Sequence, residues 1–249
     1  MKIIFMGNQT IGYNCLKYLI ENKENVQAVF AICDSYWKKF SNKEKSNYNW
    51  YPSVGELSTK SNIPTYYPEN INSHYYVDLI NNLNPDIIFS ISWEQMIGVD
   101  ILKIPNQGAI NMHGSLLPKN RGHAPINWAI IRGEKITGFT MHYMSEKADA
   151  GDIIAQKECQ IYFEDTAITL SERLMEAGLN LFAEQFPLIK QGKSQRFFNK
   201  IEQGNYNKRR RPEDGQINWN RSALDIYNWI RALTRPYPGA FTYWNSQKL

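Results

Sequence analysis

Short apolar runs alternate with stretches in which apolar residues return every three or four positions, and this alternation fills the first half of the chain. The runs Lys2 to Met6, Val26 to Cys33, Asp86 to Ile91 and Ala109 to Met112 predict strands. Between them, the helical spacing predicts helices over Ile11 to Ile20, Val54 to Ser61 and His74 to Leu83. Pro125 opens a further helix, since its fixed backbone angle and missing donor suit a first turn. This alternation of strand and helix implies an α/β fold: a doubly wound, mostly parallel sheet covered by helices on both faces. From Phe139 the pattern changes to extended segments, Phe139 to Tyr143 and Ile153 to Ile161, followed by a long helix from Thr166 to about Phe186. Leu170, Leu174, Ala177 and Leu181 recur on that helix at core-packing spacing. A helix over Ala223 to Leu233 and a strand over Ala240 to Trp244 predict a small C-terminal extension. The expected division is residues 1–190 as the main domain and 191–249 as a subdomain.

Composition narrows the partners. The chain has 249 residues, 43% of them apolar, enough for one substantial core. A net charge of +4 is too small to argue for nucleic acid and suits an anionic small molecule. Cys15, Cys33 and Cys159 are far apart and lack CxxC spacing, so neither a disulfide framework nor a zinc site is expected, and reduced thiols in the cytoplasm are the simpler reading. The apolar run Met1 to Met6 stops at Gly7, too short for a signal peptide or a membrane span. It reads as a buried first strand, and no membrane partner is expected.

The chemistry concentrates after the fourth strand. Asn111 and His113 lie two apart, so at a strand end both side chains project from one face. A carboxamide donates to a developing oxyanion, and an imidazole moves protons near neutral pH. A carboxylate, such as one from the turn Asp149-Ala150-Gly151-Asp152, orients the imidazole and stabilises its charged form. Together these groups suit acyl transfer; alone, Asn and His before Pro118 are equally turn-formers and satisfied polar groups. The loop beyond His113, with Lys119, Arg121 and Gly122, costs ordering entropy of the kind that functional loops carry.

Other segments are more ambiguous. Gly7 to Gly12 joins a strand to a helix but lacks the full GxGxxG and the GKS/T of phosphate loops, so it reads as a tight turn; Asn8 and Gln9 there are candidates to touch substrate at a helix N-terminus. Cys33 to Pro52 reads as a long loop whose Trp37, Tyr48, Trp50 and Tyr51 either stack on a base or pin the loop down. Lys208 to Arg211 reads as a solvated basic loop, with pyrophosphate contact as the alternative. Ser90 to Ile97 follows a buried strand and falls at the carboxyl edge of the sheet, where such folds bind ligands. Tyr227, Trp229, Tyr237 and Trp244 read equally as core and as a homodimer surface.

The run Asn111 to Gly122, Asn-Met-His-Gly-Ser-Leu-Leu-Pro-Lys-Asn-Arg-Gly, resembles the 10-formyltetrahydrofolate-dependent formyltransferases. The likeness extends through Ala124-Pro125-Ile126-Asn127-Trp128, Thr137 to His142 and Lys147 to Ile154, and more loosely through Arg231 to Phe241. It implies a catalytic triad of Asn111, His113 and Asp149, 10-formyltetrahydrofolate as co-substrate, and no metal. It further implies a folate pocket lined by Ser92, Trp93, Met96, Ile97, His142, Ala148 and Asp152. The expected substrate-binding residues are Asn8, Gln9, Trp50, Lys119, Arg121 and Tyr237. The spellings His113 to Ser115, Asn127-Trp128 and Lys147 to Gly151 look closest to the enzymes that formylate nucleotide-linked amino sugars, which makes dTDP-4-amino-4,6-dideoxyglucose, for surface polysaccharide synthesis, the first expected acceptor. UDP-4-amino-4-deoxyarabinose and 3-amino dideoxyhexoses follow. A methionyl-tRNA formyltransferase-like enzyme, expected to carry a fuller C-terminal barrel, and a non-catalytic binder of folate or nucleotide sugar remain as alternatives.

Overall fold

The structure is a computed structural model and describes residues 1–32, 52–235 and 237–249. In chain order the elements are β1 (Ile3–Gly7), α1 (Gln9–Glu21), β2 (Val26–Ala31), α2 (Val54–Lys60), β3 (Thr65–Tyr66), α3 (His74–Leu83), β4 (Ile87–Ile91), α4 (Val99–Leu102), β5 (Ala109–His113), β6 (Arg121–Gly122), α5 (Pro125–Ile131), β7 (Ile136–Tyr143), β8 (Ile153–Gln160), α6 (Ala167–Lys190), β9 (Tyr206–Asn207), α7 (Ala223–Ala232), β10 (Tyr243–Trp244) and β11 (Gln247–Lys248).

Seven strands form the main sheet in the order β3-β2-β1-β4-β5-β7-β8. The first five pair in parallel; β7 runs antiparallel to β5, and β8 antiparallel to β7. The continuous apolar runs follow from burial on both faces. Ile3 and Phe5 of β1 pack with Ile11, Leu16 and Leu19 of α1 and with Leu174 and Phe182 of α6, whereas Ile4 and Met6, pointing the other way, pack with Ile71, Ile80 of α3 and Ile101 of α4. Among the described residues no helix is long and apolar enough to cross a membrane.

Three expectations need correction. The long helix does not stop near Phe186 but runs through Pro187 to Lys190. Its last turn is held from outside, by burial of Ile189 and by Lys190 Nζ on the Glu24 carboxylate at 2.8 and 2.9 Å, which outweighs the donor that proline removes. Strand β2 ends at Ala31, and Cys33 to Tyr51 lie outside the described residues. The expected strand Ala240 to Trp244 shortens to Tyr243–Trp244, paired with Gln247–Lys248 across Asn245 and Ser246, both at positive φ (47° and 64°), the geometry a tight two-residue hairpin demands.

Candidate active site at the carboxyl edge of the sheet

The chain leaves β1 toward β2 and β3, then returns to the other side of β1 as β4, so the strand order reverses between β1 and β4. Open α/β sheets bind ligands outside the carboxyl ends of the strands at such a reversal. A cavity of about 450 Å³ lies there, lined by Gln9 after β1, by Ser92 to Ile97 after β4, and by Asn111 to Gly114 at the end of β5. His142, Lys147, Ala148, Asp149 and Tyr237 complete much of its wall.

Antiparallel pairing sets Asn111 of β5 opposite His142 of β7. The Asn111 Nδ2 lies 3.2 Å from His142 Nε2, and His142 Nδ1 lies 2.9 Å from the Tyr143 carbonyl. A carbonyl only accepts, so Nδ1 of His142 carries the proton and its Nε2 offers a lone pair to the Asn111 amide. Burial lowers the pKa of His142 to about 4, against the opposing pull of Asp149, so the ring is neutral at pH 7 and remains an acceptor. One N–H of Asn111 is thereby anchored, leaving its second for a group in the cavity.

His113 is fixed by the same logic. Its Nε2 lies 2.8 Å from the backbone oxygen of Asn120, so Nε2 donates and Nδ1 faces the other way. What it faces is Asp149: Oδ1 stands 3.5 Å from His113 Nδ1, close enough to pair with that ring once it is protonated, and 3.7 Å from Nε2 of the neutral His142, both longer than a good hydrogen bond. The second oxygen of Asp149 accepts from the Gly122 N–H at 2.8 Å. Two glycines permit this turn. A Cβ on Gly122, at φ +86°, would stand 2.4 Å from the Asn207 oxygen, and one on Gly151 would stand 1.9 Å from the Tyr143 oxygen. Asn199 braces the turn by donating to the Asp149 and Gly151 carbonyls at 3.1 and 3.2 Å. A carboxamide with a spare donor, an imidazole with an open nitrogen and a carboxylate thus converge on one cavity, a set suited to the transfer of an acyl group to an amine.

Of the residues expected to line a folate pocket, Ser92, Trp93, Met96, Ile97, His142 and Ala148 line the cavity. Asp152 does not; it stands outside the lining, its carboxylate taken by Arg196 at 2.7 Å. Among the expected substrate-binding residues, Gln9 and Tyr237 line the cavity, whereas Asn8, Lys119 and Arg121 do not. Asn8 is buried as the residue preceding α1, its N–H on the Ile91 carbonyl at 3.1 Å. Lys119 points outward from the loop, and the Arg121 guanidinium packs over the Tyr206 ring at 5.9 Å. Trp50 lies outside the described residues.

A second cavity of about 300 Å³ adjoins the first, sharing Glu94, His123, Ala124, Asn127 and Tyr237, and its far wall carries Arg209, Arg210 and Arg211. The basic run is therefore not simply a solvated loop. Arg210 is wedged between the rings of Trp128 and Trp229, 5.1 and 4.6 Å from their centres, which carries its neighbours to the cavity rim. Among the described residues, no group of three or more His, Cys, Asp or Glu side chains is arranged to hold a metal ion.

Over all of its 249 residues the chain is 40% identical to the bifunctional polymyxin resistance protein ArnA of Wigglesworthia glossinidia brevipalpis, and it spans 37% of that protein's length. Among solved structures it is similar in fold to a 4-N formyltransferase from Francisella tularensis, with a TM-score of 0.79 and 23% identity over 100% of this chain and 95% of the other. It is also similar in fold to the N-formyltransferase from Helicobacter canadensis in complex with folinic acid and dTDP-3-aminofucose, with a TM-score of 0.75 and 21% identity over 100% and 86% of the two chains. Residues 209–249 match the formyl transferase C-terminal domain. Residues 1–186, which hold the whole sheet and the converging Asn111, His113 and Asp149, match the formyl transferase family, and the chain belongs to it.

Proposed function

We propose that this chain transfers a formyl group from 10-formyltetrahydrofolate to the amino group of a nucleotide-linked amino sugar, with dTDP-4-amino-4,6-dideoxyglucose as the first acceptor to try, in the synthesis of a surface polysaccharide. The observation that carries the reading is the convergence of Asn111, His113 and Asp149 beside a second, arginine-rimmed cavity. The names of the structurally similar proteins support a folate donor and a dTDP-sugar acceptor.

The larger cavity suits a folate. Its volume is within the range of small-molecule sites, Met112, Phe139, Met144 and Met175 give it an apolar wall, and the buried Trp93 Nε1 on that wall has no hydrogen-bond partner among the described residues. When bound, the folate supplies a formyl carbon on a nitrogen that can leave as an amine. The free N–H of Asn111 stabilises the oxygen as it becomes negative, and Nδ1 of His113 accepts the proton released by the acceptor amine, with Asp149 stabilising the resulting charge. In balance, a C–N bond forms to the sugar, the C–N bond to the folate breaks, and one proton passes from the sugar nitrogen to the folate nitrogen. Arg209 and Arg211 supply charge for the diphosphate.

The test is direct. The purified protein is incubated with 10-formyltetrahydrofolate and, separately, dTDP-4-amino-4,6-dideoxyglucose, UDP-4-amino-4-deoxyarabinose and a dTDP-3-amino sugar, with release of tetrahydrofolate followed by absorbance and the sugar nucleotide by mass. One added formyl group is expected, with Asn111→Ala slower by about 10² to 10³. Binding of folate and sugar nucleotide with no formyl gained on any acceptor contradicts the proposal.

A further inference from the structure

Among the described residues the His113 ring has one hydrogen-bond partner, a backbone oxygen, and the residue carrying it, Asn120, is itself bonded to the side chains of Arg132, Glu134, Asn205 and Asn207. Asn120 is buried, with a left-handed backbone at φ +55° that asparagine tolerates better than most residues. Its side-chain oxygen accepts from the Arg132 guanidinium, from Asn207 Nδ2 at 3.1 Å and from Asn205 Nδ2 at 3.4 Å. Its side-chain nitrogen donates to both Glu134 oxygens at 3.0 and 3.2 Å, and its backbone N–H donates to Asn205 Oδ1 at 3.0 Å. The Arg132 side chain is itself fixed, on Asn207 Oδ1 at 2.6 Å and over the Trp128 ring at 4.9 Å. One amide therefore bridges a guanidinium and a carboxylate, and the segment 205–207 closes the ring from a stretch between the two family matches.

We infer that Asn120 is a positioning residue for proton transfer: the Arg132–Glu134–Asn205–Asn207 cluster holds its peptide so that its carbonyl captures the Nε2 proton of His113 and leaves Nδ1 open toward Asp149. The inference rests on the proposed function, because it matters only if His113 relays a proton. A turn of this peptide removes the acceptor at Nε2. The neutral ring then takes its proton on Nδ1, where it donates to Asp149 and has no lone pair left on that side for the incoming amine. On this account the segment 205–207, whose Tyr206 also lines the larger cavity, acts on catalysis through the Asn120 peptide.

The experiment compares Asn120→Ala, Asn205→Ala and Asn205→Asp, the last retaining an oxygen to accept the Asn120 N–H. Nitrogen-15 shifts of the His113 ring report its tautomer without turnover, and kcat and KM are measured in parallel. The wild type is expected as the Nε2–H form. Asn205→Ala, a partly exposed site that leaves the core intact, is expected to show a mixed tautomer and a kcat lower by about 3- to 10-fold at unchanged KM, the equivalent of one neutral hydrogen bond. Asn205→Asp is expected to restore the tautomer. An Nε2–H form unchanged in folded Asn205→Ala, or an Nδ1–H form in the wild type, overturns the inference; if Asn120→Ala does not fold, Asn205→Ala decides. A wild type with the expected tautomer that formylates no acceptor defeats the proposed function and leaves the positioning geometry standing.

Discussion

Asp149→Asn separates charge from shape at the centre of the site. One carboxylate oxygen of Asp149 accepts the Gly122 N–H at 2.8 Å, so an amide in its place must turn its own oxygen to that donor. Its NH₂ group then faces Nδ1 of His113 across the 3.5 Å that now separates ring and carboxylate. Since Nε2 already donates to Asn120, the amide caps the one nitrogen able to take a proton from an amine, and the charge that would stabilise an imidazolium is gone. Two unit charges at that separation interact by about 4–5 kcal/mol at an effective dielectric near 20, an upper bound that corresponds to about three orders of magnitude in rate. Single-turnover formyl transfer with saturating donor and acceptor is the assay, with thermal unfolding as the check on folding. A kcat near 10⁻³ of wild type is expected in a protein of near wild-type stability, because the Gly122 bond and the side-chain volume survive. A folded Asp149→Asn protein within about tenfold of wild type would refute the reasoning.

Other expectations follow from the same geometry. His142 has a folded pKa of about 4 against an ordinary 6.5, so acidification protonates the unfolded chain first, and stability present above pH 6.5 is lost as the pH falls toward 4. That difference is worth about 3–4 kcal/mol; denaturant midpoints should fall through this window in wild type and much less in His142→Leu, and equal slopes would remove His142 as the cause. His142→Leu should also slow turnover by about tenfold or more, through loss of the Asn111 anchor. Gly151→Ala sets a methyl against the Tyr143 carbonyl, 1.9 Å from its oxygen, and should cost about 1–3 kcal/mol in thermal unfolding and displace Asp149, with wild-type turnover as the contrary result. Arg209→Ala should raise the KM for the nucleotide sugar about tenfold while leaving kcat near wild type, and an unchanged KM would detach that cavity from the substrate.

The sheet was legible in the sequence because burial on both faces leaves runs such as Ile3 to Met6 almost wholly apolar, and the residues that follow β1, β4 and β5 had to fall at one edge. The pairing of Asn111 with His113 was legible from the two-residue period of a strand. The place of Asp149 was not; the turn Asp149 to Asp152 offered carboxylates, but which one reaches His113 depends on β7 folding back on β5, and the family likeness was needed to single out Asp149. The anchoring role of His142 follows from that same antiparallel register, which no local pattern announces. Charge beside a motif misled in the opposite sense: Lys119 and Asp152 flank the site in sequence, yet one points outward and the other is claimed by Arg196. The arginines of 209–211 looked solvated because the Trp128 and Trp229 rings that clamp Arg210 are distant along the chain.

The most direct measurement is a crystal structure of the protein with a non-transferring formyl-folate and dTDP-4-amino-4,6-dideoxyglucose together. The account requires the formyl oxygen within hydrogen-bond distance of Asn111 Nδ2, the sugar nitrogen on the open Nδ1 side of His113, and the diphosphate beside Arg209 and Arg211. A folate or sugar nucleotide seated away from these atoms, with Asn111, His113 and Asp149 touching neither, would contradict it.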